Sequence, residues 1–444
     1  MQPLIIRIVS LTLLSALTLS VTAAQASERL SLQKAIELAT KQDPVLQKQH
    51  YQQRATQAQS IAAGTLPDPK VALSMMNLPV DGWQHDREAM TQLKVGVSQQ
   101  FGRGDELALK RQQLMIASSE YALLRADRTA QIRAQVSQLW LDTYLAERTI
   151  ALIEQDKALF EQLVDVSKAS YANAVGRTRQ QDVIRAQLEL VQLDDRLNVE
   201  YQKRDATRAQ LMSWLQSGQI QTAWSDTRLA EGLPSLQVAV PTLFVQGKPD
   251  TQRLLNRLTS HPVVLAQDVR IEVAAKGVAI ARQQYKPQWG VNASYGHRSD
   301  MPDGSSRADF FSVGVSVDVP LFTANRQDQW LSASQADQEA IKTDKLLLLR
   351  DLSGQVEKEA SQLRRLSERQ ILYREQLLQQ TYEQAEAALT AYTNDSGDFA
   401  EVVRARIAQL NARVAAKQID VDALKAVARL NYYLTTYQPG AAHE

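Results

Sequence analysis

The chain has 444 residues, of which only 17 are glycine and 13 proline. Those are about 4% and 3%, against roughly 7% and 5% in average usage, so turns are few and the elements between them long. Cysteine is absent, which excludes disulfides, thiolate metal sites, cysteine nucleophiles and a lipid carried on an N-terminal cysteine. The 50 Lys and Arg balance 49 Asp and Glu, so no broad attraction to nucleic acid or anionic lipid is implied.

Residues 1–26 carry one charge, Arg7, then the apolar run Ile8–Leu19 and the small-x-small pattern Ala24-Gln25-Ala26. A signal peptide cleaved after Ala26 is expected, since the apolar run is shorter than the roughly 20 residues of a helical membrane span. Beyond it no window of 18 apolar residues occurs, so any membrane crossing by the mature chain falls to strands.

In the first half (27–216), helical patterning covers 31–63, a hairpin 70–101, a long helix 104–175 and a returning helix 178–216. The strand signal is period-2 alternation: Val71, Leu73 and Met75, then Leu93, Val95 and Val97. Asp105 to Val175 contains neither Gly nor Pro; a helix of that extent would be about 105 Å long at 1.5 Å per residue. Leu145, Leu152, Leu159 and Val166 recur every seven residues, the spacing of a coiled-coil seam. Residues 217–249 are dense in Gly and Pro and read as a linker.

The second half (250–438) repeats the order, with a helix over 250–285, a hairpin over 288–322, a long helix over 324–395 and a returning helix over 398–437. Pro44 and Pro262 are 218 positions apart, as are Val95-Gly96-Val97-Ser98 and Val313-Gly314-Val315-Ser316. Val183-Ile184-Arg185-Ala186 matches Val402-Val403-Arg404-Ala405 at 219, each soon after a lone glycine, Gly176 or Gly397, that suits a left-handed turn. In each half the two shorter helices, laid end to end, match the long one in length. The expected fold is mainly α with a small β part, two tandem helical hairpins carrying four strands.

Four strands in lipid would leave backbone groups unpaired at both edges, so several copies must close one barrel. Trp83, Trp289, Tyr295, Phe310, Phe311 and Phe322 gather in or beside the strands, as interfacial aromatic girdles do. A soluble sandwich with an aromatic core is the competing reading. Met75, Met76, Met90, Met301, His85 and His297 are soft-metal ligand types, but without close spacing they read as packing and loop surface, and no metal ligand is assigned. There is no His-Glu-x-x-His or P-loop, and Gly102-Arg103-Gly104 is too short for a dinucleotide loop, so neither catalysis nor a cofactor is expected.

The signal segment, the duplicated order of elements, Pro320-Leu321-Phe322 with Arg326, and the glycine turns before Val-Ile-Arg-Ala and Val-Val-Arg-Ala resemble the TolC-like outer-membrane efflux family across the mature chain. The resemblance implies a homotrimer with a 12-stranded barrel in outer-membrane lipid and a helical tunnel across the periplasm. It also implies a periplasmic adaptor and an inner-membrane pump as partners. Leu66-Pro67-Asp68-Pro69-Lys70, Asn77-Leu78-Pro79 and Val97-Ser98-Gln99-Gln100-Phe101 before Arg103-Gly104-Asp105 are similar to the heavy-metal branch, served by RND-type pumps. On the same resemblance Asp182 and Glu401 stand at the tunnel aperture, with Asp395 and Asp398 in the adjacent turn and Arg404 placed to pair with Glu401. Gly176, Arg177, Arg179, Gly397 and Phe399 become candidate adaptor contacts at the periplasmic tip. The alternatives are a channel for drugs, metabolites or type I protein secretion, and, in a different class, a soluble periplasmic coiled-coil scaffold.

Overall fold

The computed structural model describes residues 29–172, 180–215, 228–394 and 396–438. Two helices, α1 (Leu32–Gln42) and α2 (Pro44–Ala63), lead into strands β1 (Lys70–Met76) and β2 (Gln92–Gln100). The 67-residue helix α3 (Glu106–Ala172) runs about 100 Å, and α4 (Gln180–Leu215) follows it. After the two-residue strands β3 (Phe244–Val245) and β4 (Lys248–Pro249) come α5 (Thr251–Leu258), α6 (Pro262–Gln283), β5 (Gln288–His297) and β6 (Phe310–Asp318). Helix α7 (Gln327–Leu372) passes through a π turn at Tyr373–Leu377 into α8 (Leu378–Thr393), and α9 (Phe399–Tyr433) ends the series.

The helical stretch read over 31–63 is divided at Asp43. Pro44 disfavours helical geometry in the residue before it, so Asp43 is extended (φ −66°, ψ 116°) and its carboxylate caps α2 by accepting the Leu46 N–H at 3.1 Å. The stretch over 250–285 divides in the same way at His261, which caps α6. The linker is also more ordered than its composition suggests: Gln246 and Gly247, both at positive φ (49° and 74°), turn the short β3–β4 hairpin.

Helix α3 packs against α1 and α2, against α4, and against α6 and α9; the α7–α8 segment packs against α5, α6 and α9. At 11, 20 and 36 residues, α1, α2 and α4 together match the length of α3, so its apolar surface finds a partner along both halves. One core joins Ala35 and Ala39 to Ile132, Val136, Trp140 and Tyr144 and to Leu211 and Leu215. Trp140 Nε1 donates to Leu30 O at 2.9 Å, and its ring stacks on Tyr144, binding the start of the described chain and the Leu229 segment to α3. A second core joins α5, α6, α7 and α9 through Leu254, Leu258, Val264, Val356 and Leu430.

The heptad on α3 is its buried seam only in part: Leu145 and Leu152 pack half-buried against the cores. Leu159 and Val166 are exposed, while Ile150, Ile153, Phe160 and Val164 face α4 and α9. A helix held between partners on several sides buries a broader and differently centred stripe than a two-stranded coil does. On α7, Leu352, Val356 and Leu366 are buried, and Glu359 between them is buried beside Arg429 at 2.8 Å.

The α3, α6 and α9 helices meet in a polar cluster. His261 Nδ1 accepts the Val263 N–H at 3.3 Å and its Nε2–H donates to Tyr432 O at 3.1 Å, so the ring is neutral, and burial holds its pKa below the usual imidazole value. The Tyr432 hydroxyl donates to Asp127 at 3.1 Å and Gln131 Nε2 donates to the same carboxylate at 2.7 Å. Burial outweighs these bonds and the neighbouring Arg128 charge, and pushes the Asp127 pKa up to about 6. Because the folded pKa lies above the unfolded one, folding is favoured by the proton at low pH. Stability falls as pH rises from about 4 to about 6, by on the order of 2 kcal/mol. Asp127→Asn is therefore expected to raise the thermal midpoint at pH 7.5 and to have little effect at pH 4, measured by circular dichroism of the purified protein in detergent. An equal shift at both pH values would contradict this.

Candidate channel-forming site

The four longer strands form one antiparallel sheet in the order β1-β2-β5-β6. The register sets Val71 against Val97, Leu73 against Val95 and Met75 against Leu93; Val95 faces Tyr295 and Val97 faces Ala293. It continues with Trp289 against Val317, Val291 against Val315, Ala293 against Val313 and Tyr295 against Phe311. Directly opposed residues share a face, so one side of the sheet is apolar from edge to edge, apart from Gln99 and His297 near the strand ends. That face is open: Val71 is 72% exposed, Phe311 72%, and Val313 and Val315 64% each.

The other face carries Lys70, Ala72, Ser74 and Met76, then Gln92, Lys94, Gly96, Ser98 and Gln100. Gln288, Gly290, Asn292, Ser294 and Gly296 of β5 continue it, as do Ser312, Gly314, Ser316 and Asp318 of β6. On β2 this polar face is the more enclosed: Gln92, Lys94, Gly96 and Ser98 are half-buried while Leu93, Val95 and Val97 are exposed. Its glycines make room for neighbouring side chains, since a Cβ on Gly314 would lie 2.6 Å from Asn292 Oδ1. Trp289 and Tyr295, six residues apart on the apolar face, are about 20 Å apart along the strand, near the roughly 25 Å apolar band of a membrane barrel. Of the other aromatics, Phe311 is on that face, Phe322 is 92% exposed just beyond β6, and Trp83 is in the β1–β2 loop. Phe310 is on the polar face, its ring 4.0 Å from the Arg298 guanidinium.

Strands and helices are joined at a cross-linked junction. Arg103 Nη1 donates to Lys286 O at 2.8 Å and Nη2 pairs with the Asp318 carboxylate, which ties the β2–α3 turn to the α6–β5 turn and the end of β6. Phe101 N donates to Trp289 O at 2.9 Å across the same point. Gly104 sits at φ +51°, where a Cβ would also overlap the Lys286 side chain.

At the opposite end α8 gives way to α9. Asp398 is the N-cap of α9 and accepts the Ala400 N–H at 3.2 Å, so this candidate aperture acid also has a structural role. Glu401 and Arg404 pair at 3.1 Å, with side chains 46% and 72% exposed. Asp182 is buried in the first turn of α4, where a helix dipole favours a carboxylate. Gly397 is required for close approach rather than for a left-handed conformation: its φ is not positive, and a Cβ would lie 2.8 Å from Tyr392 N and 2.9 Å from the Ala391 carbonyl carbon. Phe399 is buried, its ring edge-on to Tyr392 and packed near Val403, so it is not presented as a surface contact. Gly176, Arg177, Arg179 and Asp395 lie outside the described residues.

Sequence reasoning missed the ion pairs along α9. Lys425 meets Asp142 of α3 at 2.7 Å and Arg413 meets Asp156 at 2.8 Å. On the other flank Arg429 meets Glu359 and Asp420 meets Arg374, each at 2.8 Å, the latter at the π turn. Glu359, a charge set among the apolar Leu352, Val356, Leu363 and Leu366, is the one signal of this arrangement in the sequence. Among the described residues no group of three or more His, Asp or Glu side chains is arranged to hold a metal ion, and no helix is long and apolar enough to cross a membrane.

No family model matches the sequence, and no curated protein matches it significantly. Solved structures do match in fold. The Campylobacter jejuni CmeC outer membrane channel aligns with a TM-score of 0.74 at 12% identity, covering 91% of this chain and 85% of that one. The Vibrio cholerae outer membrane protein VceC gives 0.73 at 16%, covering 91% and 96%. CusC, described in terms of folding and transmembrane channel formation, gives 0.71 at 12%, covering 91% and 92%. The chain thus has the fold of these outer-membrane proteins.

The two faces of the sheet should respond oppositely to charge. A lysine at Val95, central on the apolar face, is expected to cost roughly 2–4 kcal/mol if that face meets hydrocarbon. Val95→Lys should therefore abolish a detergent-resistant assembly on unheated gels, whereas Ser98→Lys, on the polar face, should leave it intact. Equal behaviour of the two variants would remove the assignment of faces.

Proposed function

We propose that the protein is the outer-membrane channel of a tripartite efflux system: a passive homotrimeric duct through which cargo from an inner-membrane pump leaves by way of a periplasmic adaptor. The observation that carries this reading is the two-faced open sheet. A broad exposed apolar surface on one side suits lipid, a polar glycine-bearing surface on the other suits a water-filled lumen, and the unpaired outer edges of β1 and β6 call for neighbouring copies. The fold shared with outer-membrane channels supports it. A soluble scaffold would gain nothing from such a surface, which exceeds the isolated apolar patches normal on water-soluble proteins.

The duct itself performs no chemistry. Adaptor docking at the helical tip shifts α9 against α3 and α7 and separates the rings formed by Glu401 and Asp182, so that opening is a change of packing biased by charge. For cargo, the sequence resemblance of the 66–70 and 97–105 segments favours heavy-metal cations, with drugs, metabolites or a secreted polypeptide as the alternatives. In planar bilayers the purified protein should form detergent-stable trimers that conduct, and Glu401→Gln should alter conductance or block by divalent cations. A water-soluble monomer would overturn the channel, and an unchanged Glu401→Gln conductance would overturn the aperture ring. A deletion strain should be more sensitive to heavy metals than its parent; sensitivity to drugs alone would reassign the cargo.

A further inference from the structure

The polar face of the sheet holds few charges, and they are not balanced. Among the residues that alternate onto it there are three: Lys70, Lys94 and Asp318. Asp318 is neutralised by Arg103 at the junction with the helices. Lys70 is at that same end of the sheet, opposite Ser98. Lys94 lies further into the strand, between Ser74 of β1 and Gly296 of β5, and is half-buried. No acid on the described residues pairs with Lys94 or Lys70, and the small neutral neighbours leave the Lys94 ammonium group free to project from the face.

We propose that Lys94 sets the ion preference of the barrel lumen, three copies forming a ring of ammonium groups that favours anions over cations at that level. This rests on the trimeric-barrel reading above and deepens it. Unpartnered like charges facing one confined aqueous space raise the local concentration of counter-ions and repel ions of their own sign, as rings of Lys or Arg do in anion-conducting pores. The loops beyond the strands have the opposite bias, with Asp81, Asp86, Glu88, Asp300, Asp303 and Asp309 against Arg87, Arg298 and Arg307. Much of that acidity is engaged locally: Asp81 and Glu88 meet Arg87 at 3.0 and 3.6 Å, and Asp309 accepts from the Arg298 N–H and from the Tyr295 hydroxyl. With six acids against three arginines the loops stay net acidic while the lumen at Lys94 is basic, so a free cation meets a less favourable field at the Lys94 level than at the mouth, and a cationic cargo passes that level against it.

The test is the reversal potential of the full-length channel in planar bilayers under a KCl gradient at about 0.1 M mean salt, where charges act over about 10 Å. Lys94→Gln should raise the potassium-to-chloride permeability ratio about twofold or more, Lys94→Arg should keep the wild-type ratio, and the difference should shrink near 1 M salt, where the screening length is about 3 Å. If Lys94→Gln does not assemble, Lys94→Ser gives the same reading. A neutral variant that conducts with the wild-type ratio overturns the ring and leaves the channel standing. A wild-type protein that assembles into no conducting channel overturns the channel and the ring together.

Discussion

Backbone hydrogen bonding is the constraint on which the rest depends. A strand in hydrocarbon has no water to satisfy its N–H and C=O groups, and each one left unpaired costs several kcal/mol. In the sheet β1-β2-β5-β6 the two inner strands are paired on both sides, while β1 and β6 each have one free edge. The same strands present an apolar face that water would penalise. Among the described residues nothing cures either defect: covering the face would require a second layer, and the helices, which leave the sheet at the Arg103 end, do not supply one. In the trimer proposed above, lateral addition of further copies would pair the edges and leave the apolar face available for lipid.

The helices answer a different requirement. In proteins most helical stability comes from packing rather than propensity, so the 67-residue α3 depends on burial along its length. The lengths of α1, α2 and α4 meet that need, and the breaks at Asp43 and His261 allow each leading helix to change direction without losing its cap. These two residues solve the same local problem with different chemistry. Asp43 is a carboxylate held by Arg128 at 2.7 Å, whereas His261 is a neutral ring bonded to Tyr432 O. Tyr432 in turn reaches Asp127, the neighbour of Arg128, so the two caps share a polar cluster spanning both halves of the chain.

Much of this was legible as pattern. Alternation in Val71-Leu73-Met75 and Leu93-Val95-Val97 marked strands with an apolar side, and the scarcity of Gly and Pro marked long helices, because both signals are local. What escaped notice depends on partners distant in sequence. The heptad on α3 was regular, yet its last two members, Leu159 and Val166, lie off the buried stripe, since α4 and α9 decide which face is covered. The π turn at Tyr373–Leu377 has no composition signature, and the Asp420–Arg374 and Lys425–Asp142 pairs join residues tens to hundreds of positions apart. The resemblance made Phe399 a contact at the tip, but a large aromatic beside a tight reversal is more stable folded back on Tyr392.

Charge at the helical tip is likewise decided by neighbours more than by residue type. Glu401 is an acid, yet Arg404 one turn later neutralises much of its field, and both remain solvated, so the pair itself contributes only about 0–1 kcal/mol to stability. The pairs further along α9 differ, because Glu359 and Asp156 are buried and removing a partner would strand a charge away from water. Helix α9 is therefore held along its length by Arg413, Lys425 and Arg429 and at its start by the buried Phe399, Ala400, Val402 and Val403, while the Glu401–Arg404 pair stays on the surface.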